Sequence, residues 1–224
     1  MTPTGFTARA ARVDEMPINI TLRRVAACAI AVVAWSGLAL DVWVIVRHDG
    51  MSPTTAIWSE LRYFTVITNL LAAAIFTSAA LSGRPMSARV SGSVAVPMLM
   101  VALIYWSFLY PQDPPPPEKT VVNLLLHLFT PMLVVAYHLL AHRIAPRAWR
   151  DPLIWLCYPF AYLIYALERG LVDRRYPYFF LDPQISGWSG LAVNFVILLL
   201  SFLIAGTLFV VFSRQDPFRP FNRQ

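Results

Sequence analysis

Charge is scarce in this chain and cysteine is nearly absent. Only 13% of the 224 residues are charged, against 58% hydrophobic, too few to solvate an ordinary soluble domain of this length. The two cysteines, Cys28 and Cys157, make no CxxC pair and have no metal-ligand spacing. That excludes a thiol metal site and a disulfide framework and leaves both expected as small buried apolar residues. Internal repeats, a soluble domain and a long linker are also missing. A cleaved leader is not expected, because the apolar run beginning near residue 22 is much longer than a signal-peptide core and reads as a retained helix.

What the chain has instead is long apolar runs. Mean hydropathy is +0.58, and six stretches approach the roughly 20 residues that cross about 30 Å of hydrocarbon: residues 22–46, 63–82, 92–111, 121–141, 152–168 and 188–213. The expected fold is therefore all-α, a polytopic integral membrane protein with six transmembrane helices in one bundle. Residues 1–21 form a cytoplasmic segment, 22–213 the membrane domain and 214–224 a cytoplasmic tail. Basic residues set the orientation. Twelve (Arg9, Arg12, Arg23, Arg24, Arg84, Arg89, Arg143, Arg147, Arg150, Arg214, Arg219, Arg223) fall on the side that carries both termini, and six (Arg47, Arg62, Lys119, Arg169, Arg174, Arg175) on the other. Both termini are expected in the cytoplasm. The net charge of +6 is then accounted for by membrane lipids as partners, with no nucleic acid.

Two outer connections stand out. The proline run in "YPQDPPPPEK", Tyr110 to Lys119, favours a stiff extended crossing of the surface. The last outer loop, "RGLVDRRYPYFFLDPQISGWSG", is the longest and most aromatic; it reads as an interfacial anchor, or as a lid over a site below it.

Ionisable groups within a membrane span are costly and mark function by default. Asp41 near the outer end of the first helix, Thr65 one turn into the second and His127 in the fourth all fall about 6 to 10 Å below the outer surface at about 1.5 Å per residue. Each also has a structural reading. Thr65 can bond back to its own helix, Asp41 can reach the interface or pair with Arg47 or Arg62, and His127 can make an interhelical hydrogen bond. Asn123, Thr130 and Pro131 share the face of His127. His138 and His142, about 16 Å or more deeper, are expected to snorkel to the cytoplasmic interface or bind headgroups.

"RYFTVITNLL", "NLLLHLFTPML", "WLCYPFAYLIYALERG" and "RYPYFFLD", in that order, resemble the signature segments of the androgen-induced-gene family of membrane proteins, in its bacterial six-helix branch. The resemblance implies an intramembrane hydrolase of fatty acid esters of hydroxy fatty acids or similar lipid esters. It places a threonine nucleophile on Thr65 of "RYFT" and a histidine on His127 of "HLFTP", in the plasma (inner) membrane of a bacterium, with the site near the non-cytoplasmic face. His127 would take the proton of Thr65, and Thr65 would attack an amphiphilic acyl ester. Asp41 is the candidate to orient the imidazole; Asn69, Thr68 and Asn123 are candidate oxyanion donors. Arg62 is a candidate for a substrate carboxylate, and Tyr176, Tyr178 and Asp182 for closing the pocket. No metal or organic cofactor is indicated. Two other classes stand beside this one. A haem-binding membrane protein would use His48, His127, His138 and His142. A proton-coupled transporter would use Asp41 and His127, although no inverted repeat marks one.

Overall fold

The computed structural model describes residues 20–111, 113, 115–142 and 148–214. Residues 1–19 and 215–224, and with them Arg9, Arg12, Arg219, Arg223 and nearly all of the two expected terminal segments, lie outside the described residues, as do Arg143 and Arg147.

Among the described residues every regular element is helical. They are α1 (Ile20–Asp49), α2 (Pro53–Glu60), α3 (Phe64–Ser82), α4 (Ala88–Ile104), α5 (Pro117–Leu124), α6 (Thr130–Ala141), α7 (Asp151–Asp173) and α8 (Pro183–Arg214). A π turn, Tyr105–Leu109, continues α4, and a second, Leu125–Phe129, joins α5 to α6 into one rod. Five of these bodies are long and apolar enough to cross a membrane: Ile20–Asp49, Phe64–Ser82, Ala88–Leu109, Pro117–Ala141 and Pro183–Phe212. The expected span at 152–168 is also a helix, α7, but it is not among these five. Glu168, Arg169 and Asp173 make its C-terminal third polar.

The local chemistry explains most helix ends. Ser52 and Ser87 cap α2 and α4 by accepting from the N–H of Thr55 and Val90. Gly83 ends α3 in the left-handed region at φ 63°. The long apolar segment of α8 follows a break at Gly187, where φ is 68° and ψ 169°, values open to glycine alone. The proline run is extended only in part: Pro117 occupies the first turn of α5, where its missing N–H costs nothing. Gln112 and Pro114 lie outside the described residues.

In packing, α1 lies along α3, α4 lies against α6, and α7 against α8. Phe76, Val94, Met98, Val134 and Trp155 form the buried centre. The outer surface is apolar too: Val172 is 85% exposed, Leu81 76% and Phe108 73%, as expected of side chains that meet lipid rather than water. This corrects the expectation for cysteine. Cys28 and Cys157 are exposed on the helix surface, because in a membrane an apolar residue is equally at home outside the bundle. His138 is corrected in the opposite sense. It is fully buried against Trp155 and Phe209, with His142 beside it, so the inner histidines face the core rather than the headgroups.

Candidate functional site

Thr65 sits in the first turn of α3, a turn without a side-chain cap of its own. The hydroxyl of Tyr178, from the loop after α7, supplies the cap: it accepts from the N–H of Phe64 at 3.0 Å and also hydrogen-bonds the Thr65 backbone and side chain. Burial, only partly offset by these bonds, pushes the Tyr178 hydroxyl up to about 12, so it remains a donor at every physiological pH. The turn before α3 is held from α7. Tyr165 donates to the carbonyl of Leu61 at 2.9 Å, Tyr162 to that of Arg62 at 2.8 Å, and Arg169 to that of Trp58. These carbonyls belong to the last turn of α2 and the turn that follows it, and a row of α7 residues three and four apart satisfies them.

Beside Thr65 lies a small cavity of about 40 Å³, walled by Phe64, Ile104, Tyr162, Tyr178, Phe180 and Phe202 among others. Its lining is almost wholly apolar, and the Thr65 and Tyr178 hydroxyls are the polar groups within it, together with that of Tyr162. Thr65 itself is 8% exposed.

His127 lies in the second π turn, and the sequence "HLFTP" accounts for its setting. Pro131 has no N–H to give the His127 carbonyl, which instead accepts from the Trp106 indole at 3.1 Å. The π turn likewise frees the carbonyl of Leu126. That carbonyl accepts from Asn69 Nδ2 at 3.1 Å, and the same Nδ2 donates to the carbonyl of Thr65 at 2.9 Å. One buried amide thus ties the residue before His127 to Thr65. The His127 ring stacks on Tyr105 with centroids 3.6 Å apart, and its Nδ1 lies 3.2 Å from the Asn123 carbonyl. Since a carbonyl only accepts, Nδ1 carries the proton and Nε2 the lone pair.

The other candidates have defined partners. No hydrogen bond joins the Thr65 and His127 side chains; the group bonded to the Thr65 hydroxyl is Tyr178. Thr68 shares a hydrogen bond with Tyr158 at 2.8 Å. Asn69 uses Nδ2 as described, while its Oδ1 is buried without a partner. Asp41 pairs with neither Arg47 nor Arg62 but with Lys119, at 2.8 Å, because α5 starting at Pro117 brings Lys119 level with it. No hydrogen bond joins Asp41 to His127. Arg62 is held by Asp173 at 3.4 Å and by the carbonyls of Ser59 and Arg175. Tyr176 packs on the backbone of Gly170, and Asp182 accepts from the N–H of Gln184 at the start of α8. Of the expected lid residues, Tyr178 alone lines the cavity.

Glu60, which the sequence did not single out, joins Asp41 and Lys119. Burial first, then the charge of Asp41 and a hydrogen bond with it, raise its carboxyl to about 7 against the opposing pull of Lys119 and Arg62. A carboxyl raised above its unfolded value of 4.5 contributes stability that is complete below that value and is lost as the pH climbs through about 7. Wild-type protein in detergent is accordingly expected to have a higher Tm near pH 5 than near pH 8, and Glu60→Gln to shrink that difference, as thermal melts of the two proteins will read.

Comparison of the chain with family models, with curated proteins and with solved structures returned no match.

Proposed function

We propose that this protein is an intramembrane hydrolase of lipid esters, with Thr65 as nucleophile and His127 as base, in a bundle of six membrane helices with both termini in the cytoplasm. What carries the reading is a buried threonine hydroxyl in the wall of an otherwise apolar cavity, tied through Asn69 to the turn that carries His127. An acyl chain entering between these apolar walls, which must part to admit it, would bring its ester linkage to the hydroxyl. The six-helix count rests on α7, which is 23 residues long, enough to span about 30 Å.

In this mechanism Thr65 Oγ1 attacks the ester carbonyl carbon while its proton passes to His127 Nε2. The ester C–O bond breaks, the departing alkoxide takes that proton, and the acyl group stays on Thr65. Water, losing a proton to His127, then attacks the acyl-threonine; the Thr65 oxygen regains a proton and the acid leaves. The Tyr178 O–H is the donor best placed for the oxyanion. It takes the part expected of Asn69, Thr68 and Asn123. For Nε2 to reach the hydroxyl, the His127 side chain turns off its Tyr105 stack when substrate binds.

The test is hydrolysis of a fluorogenic long-chain acyl ester, and of a fatty acid ester of a hydroxy fatty acid, by protein in bilayers. Wild type is expected to turn both over, His127→Ala to fall to background, and Tyr178→Phe to lose about a hundredfold in kcat. Wild-type protein that binds these esters without cleaving them would replace the hydrolase by a lipid-binding protein. The absence of a Thr65–His127 hydrogen bond favours that second reading.

A further inference from the structure

A second concave site lies at the other end of α3. Arg23 and Arg24, in the first turns of α1, and Arg84, just after α3, line a shallow surface recess together with Ala79, Gly83 and Tyr137. None of the described residues lining it is acidic. Three arginines bordering one small hollow raise the positive potential there and favour an anion. Arg24 is already aimed: its Nε donates to the carbonyl of Ala80 at 2.7 Å, in the last turn of α3, which leaves its terminal N–H groups for a ligand. Guanidinium groups favour phosphate because their forked donors match its oxygens.

The flanks point to the rest of the ligand. Leu22 and Val25 on α1 are each 59% exposed, and Leu81 on α3 is 76% exposed. Both helices have the length and apolarity of membrane spans, so these residues offer a path for acyl chains directly beside the charged recess. Thr65 and Ser82 mark opposite ends of α3, about 25 Å apart at 1.5 Å per residue, which makes this a site separate from the cavity at Thr65.

We propose that the recess formed by Arg23, Arg24 and Arg84 binds the phosphate of an anionic phospholipid whose acyl chains lie along Leu22, Val25 and Leu81. Basic pockets between membrane helices are suited to such headgroups. The site needs no hydrolase activity and stands whatever becomes of Thr65.

The experiment follows the Tm and lipid affinity of the full-length protein in detergent, titrated with phosphatidylglycerol, phosphatidylcholine or inorganic phosphate. Phosphatidylglycerol is expected to raise the Tm and phosphatidylcholine to leave it unchanged. Each arginine replaced by glutamine should weaken phosphatidylglycerol binding about fivefold, and the triple variant about a hundredfold. Arg150→Gln, which lies outside the recess, should bind as wild type does. Arg84→Gln serves as the mild variant, since the Arg84 side chain is exposed and its removal leaves the Arg24–Ala80 bond in place. Unchanged affinity in Arg84→Gln and in the triple variant, or an equal response to phosphatidylcholine, would overturn the site. Inorganic phosphate reproducing the full shift would overturn the lipid as its source.

Discussion

Thr65→Ala is expected to reduce ester hydrolysis by at least about a thousandfold, because in the proposed mechanism it removes the atom that carries the acyl group. Thr65→Ser should keep a measurable fraction, since the hydroxyl survives. The structural cost is small. The Tyr178 hydroxyl still caps the Phe64 N–H at 3.0 Å, and the truncated side chain borders a cavity rather than a packed wall. Thr65→Ala should therefore bind ester substrates with near wild-type affinity and melt within a few degrees of wild type. That combination separates a lost nucleophile from a lost fold. Activity retained in Thr65→Ala would remove the threonine mechanism.

Gly92→Ala is expected to cost on the order of 3 kcal/mol, the upper range for overpacking a buried site. Gly92 in α4 faces Trp155 of α7, and an added Cβ would lie 2.2 Å from Trp155 Cζ2. The indole cannot step aside. It is 2% exposed, and its Nε1 donates to the carbonyl of Arg89 at 2.9 Å. Close approach of helices at a small residue is a main source of stability in membrane bundles, where burial gives no hydrophobic gain. The check is the Tm of the variant in detergent, together with the double variant Gly92→Ala, Trp155→Leu. If the clash is the cause, the double variant should be more stable than the sum of the two single effects requires.

Much of the framework is written in the sequence because lipid imposes one rule, a long apolar helix, and five of the expected spans obey it plainly. The break at Gly187 could have been read from that glycine, and the kinked setting of His127 from Pro131, which strips one carbonyl of its partner. The direction of side chains was not legible. An apolar residue in a membrane helix gives no sign of whether it faces lipid or bundle, and so Cys28 and Cys157 were expected inside and His138 at the headgroups. Pair partners were equally hidden. Asp41 had basic neighbours in sequence at Arg47 and Arg62, yet its partner is Lys119, brought by a helix start after the proline run. Glu60 escaped notice because it lies in a connection, on α2, a helix of eight residues too short to show a period. The α7 row of Tyr162, Tyr165 and Arg169 could have been found from its spacing of three and four along one helix face, but its purpose, holding the turn before Thr65, appears only in three dimensions.

The most direct measurement is the mass of the protein, quenched in acid within the first turnover of an activated long-chain acyl ester and then mapped by peptide fragmentation. The expected result is one acyl group on the peptide that begins α3, located at Thr65, absent from Thr65→Ala and accumulating where water attack is slowed. Hydrolysis that proceeds with no acyl group on Thr65, or with the acyl group on another residue, would contradict the assignment.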